Sequence, residues 1–519
     1  MILSALVLFA ALARGPAVHS DIQMIDLSRP LIKRSTMPLF SIGSDRTMIF
    51  LRDEHQRDLR ALQSSIPFRY LRCHGLLNEE MKVVSRTADG SLVFDWTRVD
   101  QFIDRLRSVR LRPFMELSFM PEPLASGSHT VFWWNGNATP PRDPAEWRHL
   151  IDALTRHLIA RYGAAEVHKW FFEVWNEPNL DYFWTGGKGG YFKLYGETVR
   201  AIKTVDSKLR VGGPSTAGAA WVPEFLDYCK ANALPVDFVS THTYSAKQGF
   251  VDSSGNGQTT LDTDPGSVVG DVARVRKQID ASPFPKLPFY ITEWGPSYSP
   301  RDPVHDSYIC APFILQKLRE CEGLVDGMSY WTFSDQFEEP GPPFTPFHGG
   351  FGLLNVDGVP KPAFLAYSFL AHLYDREVPV AASNLIVTRK GDQFRVLTWD
   401  YSPPADQDAP DDPFYHRDLP SSALPDRVLT FSGLPPGRYR VSRSGIGYRR
   451  NDVYDAYLTL GKPQTSGAHL APSVLKKLEA ATAAEEESLP DLTVGGDGAG
   501  RLSLPMRTND VWLVSIEKR

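Results

Sequence analysis

The chain has 519 residues, of which 23% are charged, and its formal net charge at pH 7 is -5. This length exceeds what one hydrophobic core usually supports, so it predicts a large domain with a smaller one beside it. The balanced charge excludes a broad basic face for nucleic acid or for an anionic membrane, and a neutral substrate fits it most easily. The cysteines show neither a CxxC pair nor metal-ligand spacing, which favours free, buried thiols at Cys73, Cys229, Cys310 and Cys321.

The first twenty residues share some features with a secretory signal. Residues 2–13 are apolar and residues 17–20 read Ala-Val-His-Ser, which is similar to a cleavage site, but no basic segment precedes the apolar run. Two interpretations stay open. In the first, residues 1–20 are a signal peptide and the protein is periplasmic or secreted; in the second, they are the start of a cytoplasmic protein. The run is shorter than the roughly 20 residues of a membrane-spanning helix, and no longer apolar stretch follows.

An N-terminal segment, residues 21–36, precedes the first large domain. Its part from 22 to 33 is expected to add a strand to the C-terminal domain, which would make that domain discontinuous.

Between residues 37 and 373, short β-rich runs alternate with amphipathic helical stretches. Eight strands are predicted, at residues 39–43, 68–73, 111–117, 169–175, 210–213, 238–241, 289–292 and 327–331. Seven helices are predicted between them, at residues 52–64, 95–108, 144–162, 191–204, 222–232, 268–281 and 306–322. This alternation is typical of an α/β fold, a (β/α)8 TIM barrel with enlarged loops.

From residue 374 to residue 519 the pattern changes to alternating strands separated by turn residues. The strands are predicted at residues 385–388, 394–399, 428–431, 439–441 and 511–516, with a helix over residues 472–487. They indicate an appended C-terminal β-sandwich domain without an evident chemical motif.

Two glutamates stand where predicted strands end. Glu177 lies in the string Trp-Asn-Glu-Pro at residues 175–178, and Glu293 lies in Thr-Glu-Trp at residues 292–294. The carboxyl ends of barrel strands are where active sites are built. Glycoside hydrolysis needs one carboxyl group to protonate the leaving oxygen and a second to attack the sugar or to activate water. A single glutamate at a strand end is usually solvated or ion-paired, so the pair is what indicates catalysis.

Around these strings the sequence resembles family 39 of the retaining glycosidases, enzymes with (β/α)8 barrels and catalytic glutamates after strands four and seven. The resemblance covers residues 39–373 and rests on FRYLRCHGLL (68–77), RPFMELSFMP (112–121), EVWNEPNL (173–180), THTY (241–244), TEW (292–294), YWTFSDQFEE (330–339) and FHGGFGL (347–353). It implies that Glu177 is the general acid/base and that Glu293 is the nucleophile. Asn176 corresponds to the residue that binds the sugar 2-hydroxyl.

The resemblance also implies further residues around the terminal sugar. Trp331 corresponds to a stacking floor, and Tyr244 lies near the nucleophile. The other residues expected to bind substrate are His74, His242, Glu338, Glu339, Arg72 and Phe119. Each has a structural alternative, since a strand histidine is often a core residue and adjacent glutamates are often solvated. Their shared position at the carboxyl ends of strands favours function.

The family includes β-xylosidases and α-L-iduronidases, and the acidic pair Glu338-Glu339 distinguishes between them. Carboxylates near the terminal sugar would repel a uronate but accept hydrogen bonds from xylose hydroxyls. We therefore expect an exo-acting β-D-xylosidase that releases xylose from xylo-oligosaccharides, with side activity on α-L-arabinosides. Two alternatives are a glycosidase of the same fold acting on another glycoside and a non-catalytic carbohydrate-binding protein. No metal or cofactor is implied, and the oligomeric state is open.

Overall fold

The computed structural model describes residues 21–403, 410–411, 413–463 and 467–519. The predicted signal segment, residues 1–20, lies outside the described residues. Within the part of the chain that is described, no helix combines the length and the apolar composition that crossing a membrane requires.

Eight parallel strands close into a barrel in which each strand pairs with the next along the chain and the eighth pairs with the first. The barrel strands one to eight are Ser41–Arg46, Tyr70–His74, Arg112–Leu117, Phe171–Val174, Arg210–Thr216, Phe238–Tyr244, Phe289–Gly295 and Gly327–Tyr330. The predicted TIM barrel is therefore confirmed, and Glu177 follows the end of strand four while Glu293 lies near the end of strand seven.

Eight helices accompany the strands. They are Asp53–Ser65, Thr97–Ser108, Pro144–Tyr162, Gly187–Val205, Val222–Ala231, Val269–Asp280, Cys310–Cys321 and Pro362–His372, and a short helix, Ala164–Val167, follows the third. The eighth helix was missed in the sequence. It is buried on nearly all sides between the barrel and the sandwich, so it lacks the polar face that makes a helix visible as an amphipathic pattern.

Aromatic rings fill the amino-terminal end of the barrel. The cluster consists of Phe40, Tyr70, Phe114, Phe171, Phe238 and Tyr290, which lie at or near the starts of their strands. Their rings pack at centroid distances such as 4.8 Å between Phe40 and Tyr290. Because this end is filled, only the carboxyl-terminal rim is left for a ligand.

Enlarged loops rise from that rim. They carry three small antiparallel hairpins, formed by Val84–Arg86 with Leu92–Phe94, Thr130–Val131 with Gly136–Asn137, and Ala246–Val251 with Gly257–Leu261.

The C-terminal region forms a β-sandwich, as predicted. One sheet has seven strands, in the order Ile32–Lys33, Arg376–Val378, Leu385–Lys390, Gln393–Trp399, Val511–Lys518, Gly437–Ile446 and Glu487–Val494. The other has three, Asp21–Asp26, Ala423–Ser432 and Gly500–Arg507. Two early segments, Asp21–Asp26 and Ile32–Lys33, thus each add a strand to one of the two sheets. The predicted domain boundaries stay a prediction.

The predicted helix over residues 472–487 was too long. The helix is Pro472–Ala481, a second short helix spans Val453–Thr459, and Glu487 begins a strand. The strands Glu487–Val494 and Gly500–Arg507 were not predicted. Each contains a proline, which lacks the N–H that pairs strands and argues against a strand when only the sequence is read.

The four cysteines are buried and unpaired, as expected.

Candidate active site

A strained turn after strand four presents Glu177. Trp175 and Glu177 both have positive φ, 70° and 43°, a region that non-glycine residues rarely adopt. The Glu177 backbone N–H donates to the Ser215 carbonyl across the rim, at 2.8 Å. Such strain costs on the order of 1–3 kcal/mol for each residue and persists where surrounding contacts hold it.

Glu177 and Glu293 face each other across the rim. A carboxylate oxygen of Glu177, a carboxylate oxygen of Glu293 and a ring nitrogen of His242 all lie within 4.8 Å of one another. His242 Nδ1 is 2.8 Å from Glu177 Oε1, and the Tyr244 hydroxyl donates to Glu293 Oε2 at 2.9 Å. The side chains of strand six therefore support both glutamates.

Arg72 on strand two contacts several polar side chains beneath the rim. Its side chain is fully buried and donates to Glu293 Oε1 at 2.7 Å, to Glu173 Oε2 at 2.6 Å and to Asn176 Oδ1 at 2.9 Å. It also lies 2.7 Å from Glu116 Oε2. One guanidinium thus fixes the proposed nucleophile and the asparagine beside Glu177, and its planar fork suits several acceptors at once.

His74 at the end of strand two is held between carboxylates. Its Nδ1 is 2.7 Å from Glu116 Oε2 and its Nε2 is 3.2 Å from Glu339 Oε1. Although burial acts against the charged ring, these partners raise the pKa of His74 well above its usual value. Burial raises the pKa of Glu339 to about 7, against the opposing effect of His74.

The two central glutamates differ in their electrostatic surroundings. Burial and the neighbouring Glu293 charge raise the pKa of Glu177 well above its usual value. Burial also raises the pKa of Glu293, but Arg72, His74 and the Tyr244 hydroxyl oppose that rise. Burial and the charge of Arg72 hold the pKa of His242 well below its usual range, so this ring is neutral. Of the two, Glu177 holds a proton more readily and Glu293 ionises more readily.

A cavity of about 430 Å³ opens above these side chains. This volume lies within the roughly 300–1,000 Å³ range of small-molecule sites. Of the residues expected to bind substrate or act on it, the cavity is lined by His74, Asn176, Glu177, Tyr244, Glu293, Trp331 and Glu339. Phe250 from the hairpin Ala246–Val251 with Gly257–Leu261 and Phe132 from the loop after strand three also line it.

Trp331 lies against strand one, where Gly43 makes room for it. A Cβ added at Gly43 would lie 2.4 Å from the Trp331 ring, so only glycine allows this close approach. The Arg72 guanidinium lies 5.8 Å from the centre of the same ring.

The structure does not bring every expected residue to the cavity. Glu338 does not line the cavity. Its carboxylate accepts hydrogen bonds from Arg46 at 2.8 Å and from Arg52 at 2.5 and 2.9 Å. Phe119 is fully buried and packs edge-on against His74, with ring centroids 6.4 Å apart. Arg72 and His242 do not line the cavity either, but Arg72 contacts Glu293 and His242 contacts Glu177.

Two acidic residues of the site, Glu116 and Glu173, were not singled out in the sequence. They are buried and face each other in register on strands three and four. Charged residues inside otherwise apolar barrel strands were the signal that could have found them. Ser215, whose hydroxyl lies 3.3 Å from Arg72, offers no such signal.

Among the described residues, one group gathers enough ligand atoms to hold a metal ion, and it is Glu177, His242 and Glu293. These are the two candidate catalytic glutamates and the histidine beside them. The expectation that the site needs no metal or cofactor stays a prediction.

Comparison with known proteins places this chain in a family. The family model for Glycosyl hydrolases family 39 matches residues 23–401. A Beta-xylosidase of Geobacillus stearothermophilus is 36% identical over 487 residues, 92% of each chain. A Beta-xylosidase of Caldicellulosiruptor saccharolyticus is 47% identical over 341 residues, 65% of this chain and 69% of that one. The crystal structure of a monomeric beta-xylosidase from Caulobacter crescentus CB15 superposes with a TM-score of 0.90 at 45% identity, covering 96% of this chain and 100% of that one. The chain therefore belongs to glycosyl hydrolase family 39 and is a glycoside hydrolase.

Proposed function

We propose that the protein is a retaining exo-β-D-xylosidase that releases xylose from the non-reducing end of xylo-oligosaccharides. The observation that carries this proposal is the pair Glu177 and Glu293, with carboxylate oxygens within 4.8 Å at the floor of one cavity. Retaining glycosidases hold their carboxyl groups about 5–5.5 Å apart, whereas inverting enzymes need about 6.5–9.5 Å to admit a water. The close spacing supports the retaining route.

In the first step Glu293 attacks the anomeric carbon while Glu177 gives its proton to the leaving oxygen. The glycosidic bond breaks and a bond to a Glu293 oxygen forms. In the second step Glu177, now ionised, takes a proton from water, the water oxygen bonds to the anomeric carbon, and Glu293 leaves. The opposed surroundings of the two glutamates support these roles, because the first step needs Glu177 protonated and Glu293 charged.

A neutral sugar suits the charges of the cavity. Among the described residues that line it, none is lysine or arginine, while Glu177, Glu293, Glu339 and Asp271 carry carboxyl groups. The histidine that lines it, His74, is already paired with Glu116 and Glu339. A uronate carboxylate in this cavity would meet like charges in a poorly hydrated space. Asn176 and Glu339 offer hydrogen bonds to hydroxyls. The relatives named Beta-xylosidase support the same choice.

The deciding experiment compares hydrolysis of p-nitrophenyl β-D-xyloside, α-L-arabinoside and α-L-iduronide by the purified protein. We expect the xyloside to be the best substrate and Glu293→Ala to abolish its turnover. Faster turnover of the iduronide would refute the proposed substrate and keep the mechanism. Failure to hydrolyse any glycoside would favour a carbohydrate-binding protein instead.

The role of Glu177 has a separate test with Glu177→Ala. Loss of the acid should cost about 10²–10⁴-fold on xylosides with poor leaving groups and much less on activated aryl xylosides. Azide should accelerate turnover of the activated substrate, because a small anion can occupy the space of the missing carboxylate. Equal losses on both kinds of leaving group would contradict the assignment.

A further inference from the structure

We propose that the protein has a second carbohydrate-binding site, which takes a neutral xylo-oligosaccharide, in a groove beside the catalytic cavity. This groove, named here the Trp133 groove, has a volume of about 670 Å³ and is lined by Trp133, Trp134, Asn78, Glu122 and Asn135 among others. It lies between the loops that follow strands two and three. The choice of sugar rests on the proposed function.

Trp133 provides an exposed ring at the groove. It is 53% exposed, the one tryptophan with an exposed side chain in the described part of the chain. Its backbone is fixed, because its N–H donates to the Glu339 carbonyl at 2.8 Å. A large apolar ring held in water by a rigid backbone is a feature of binding surfaces, and an indole face suits the apolar face of a sugar ring.

Two buried polar atoms of residues that line the groove lack partners within the described part of the chain. Trp134 Nε1 and Asn78 Oδ1 have no hydrogen-bond partner there, although Trp134 is only 5% and Asn78 only 2% exposed. The two side chains meet over Gly75, since a Cβ added there would lie 3.3 Å from Asn78 Cβ and 3.6 Å from the Trp134 ring. Buried polar groups are nearly always paired. Both atoms are closed to solvent in this structure, so a sugar hydroxyl can accept from the indole N–H or donate to the amide oxygen only when these side chains turn toward the groove.

The charges of the groove select a neutral ligand. Glu80 is paired with Arg46 at 2.7 Å and Glu79 with Lys82 at 3.0 Å. Glu122 and Asn135 are exposed and line the groove. An anionic ligand would meet an excess of carboxylates, whereas sugar hydroxyls donate well to them.

The Trp133 groove is separate from the catalytic cavity. Phe132 lines the cavity, and the next two residues, Trp133 and Trp134, line the groove on the other side of the same loop. The groove therefore holds a sugar chain without touching the central glutamates, and it keeps long substrates near the cavity.

The test is calorimetric titration of Glu293→Ala, which does not hydrolyse the ligand, with xylohexaose. We expect two sites per chain. Adding Trp133→Ala should remove one site or weaken it about tenfold or more. The matched control is Phe344→Ala, which removes an aromatic side chain that is 57% exposed outside the groove. In the active protein, Trp133→Ala should raise KM for xylohexaose and leave p-nitrophenyl xyloside turnover unchanged.

Two outcomes would overturn the proposal: a single site in Glu293→Ala, or two sites of unchanged affinity after Trp133→Ala. A protein that hydrolyses no xyloside but loses one xylohexaose site with Trp133→Ala would refute the proposed function and keep the groove.

Discussion

At the scale of single residues, the proposed nucleophile depends on its neighbours. In the proposed mechanism Glu293 must be ionised to attack, so the acid limb of kcat/KM against pH should follow its pKa. The Tyr244 hydroxyl donates to the ionised form and holds that pKa down. Removing the hydroxyl in Tyr244→Phe should raise the pKa of Glu293, and the acid limb should move to higher pH. Activity should fall most at low pH.

The matched control is Tyr298→Phe, in a cavity residue whose ring lies 6.0 Å from that of Tyr244. This variant should keep the acid limb in place. A Tyr244→Phe profile that is lowered equally at all pH values would contradict a role in tuning Glu293.

At the scale of elements, a buried ion triad joins the loops that follow strands seven and eight. Lys361, which precedes the eighth helix, lies 2.8 Å from both Asp306 and Asp335. All three side chains are fully buried. Lys361→Met leaves two carboxylates facing each other without their cation, which should cost about 3–5 kcal/mol of unfolding free energy. Urea denaturation followed by fluorescence measures this loss.

An exposed pair provides the comparison for the triad. Arg156 and Asp152 lie 2.8 Å apart on one helix, with 60% and 33% of their side chains exposed. Arg156→Met should cost about 0.5 kcal/mol or less, because water screens this pair. A similar loss in both variants would mean that burial does not strengthen the triad.

At the scale of the whole molecule, the barrel and the sandwich share apolar core. Ile386, Leu397 and Trp399 of the sandwich belong to the same buried cluster as the barrel residues. Trp399 Nε1 donates to Gln316 Oε1 on the seventh helix at 2.8 Å. We expect both domains to unfold in one transition, and Trp399→Ala to lower stability by about 3–5 kcal/mol.

Calorimetry and tryptophan fluorescence should report the same midpoint. The exposed Trp133→Ala should shift that midpoint little. Two separate transitions in the unaltered protein would show that the domains are independent.

The sequence alone determined the barrel and the family of this protein, because the barrel is a repeating pattern and the family is marked by short strings of residues. The alternation of strands and helices indicated the barrel, and the strings around Glu177 and Glu293 indicated the family and the proposed catalytic pair. The eighth helix escaped because it has no polar face, two sandwich strands escaped because they contain Pro490 and Pro505, and the strand Arg376–Val378 escaped because it is only three residues long.

Only the tertiary structure decided which side chains meet. Glu338 and Glu339 are adjacent in the sequence, yet Glu339 lines the cavity while Glu338 binds Arg46 and Arg52 behind it. Likewise, Arg72 joins Glu116, Glu173 and Glu293 from three other strands. The physical reason is that burial and pairing depend on closure of the barrel, which brings distant strands together and turns neighbouring residues to different sides.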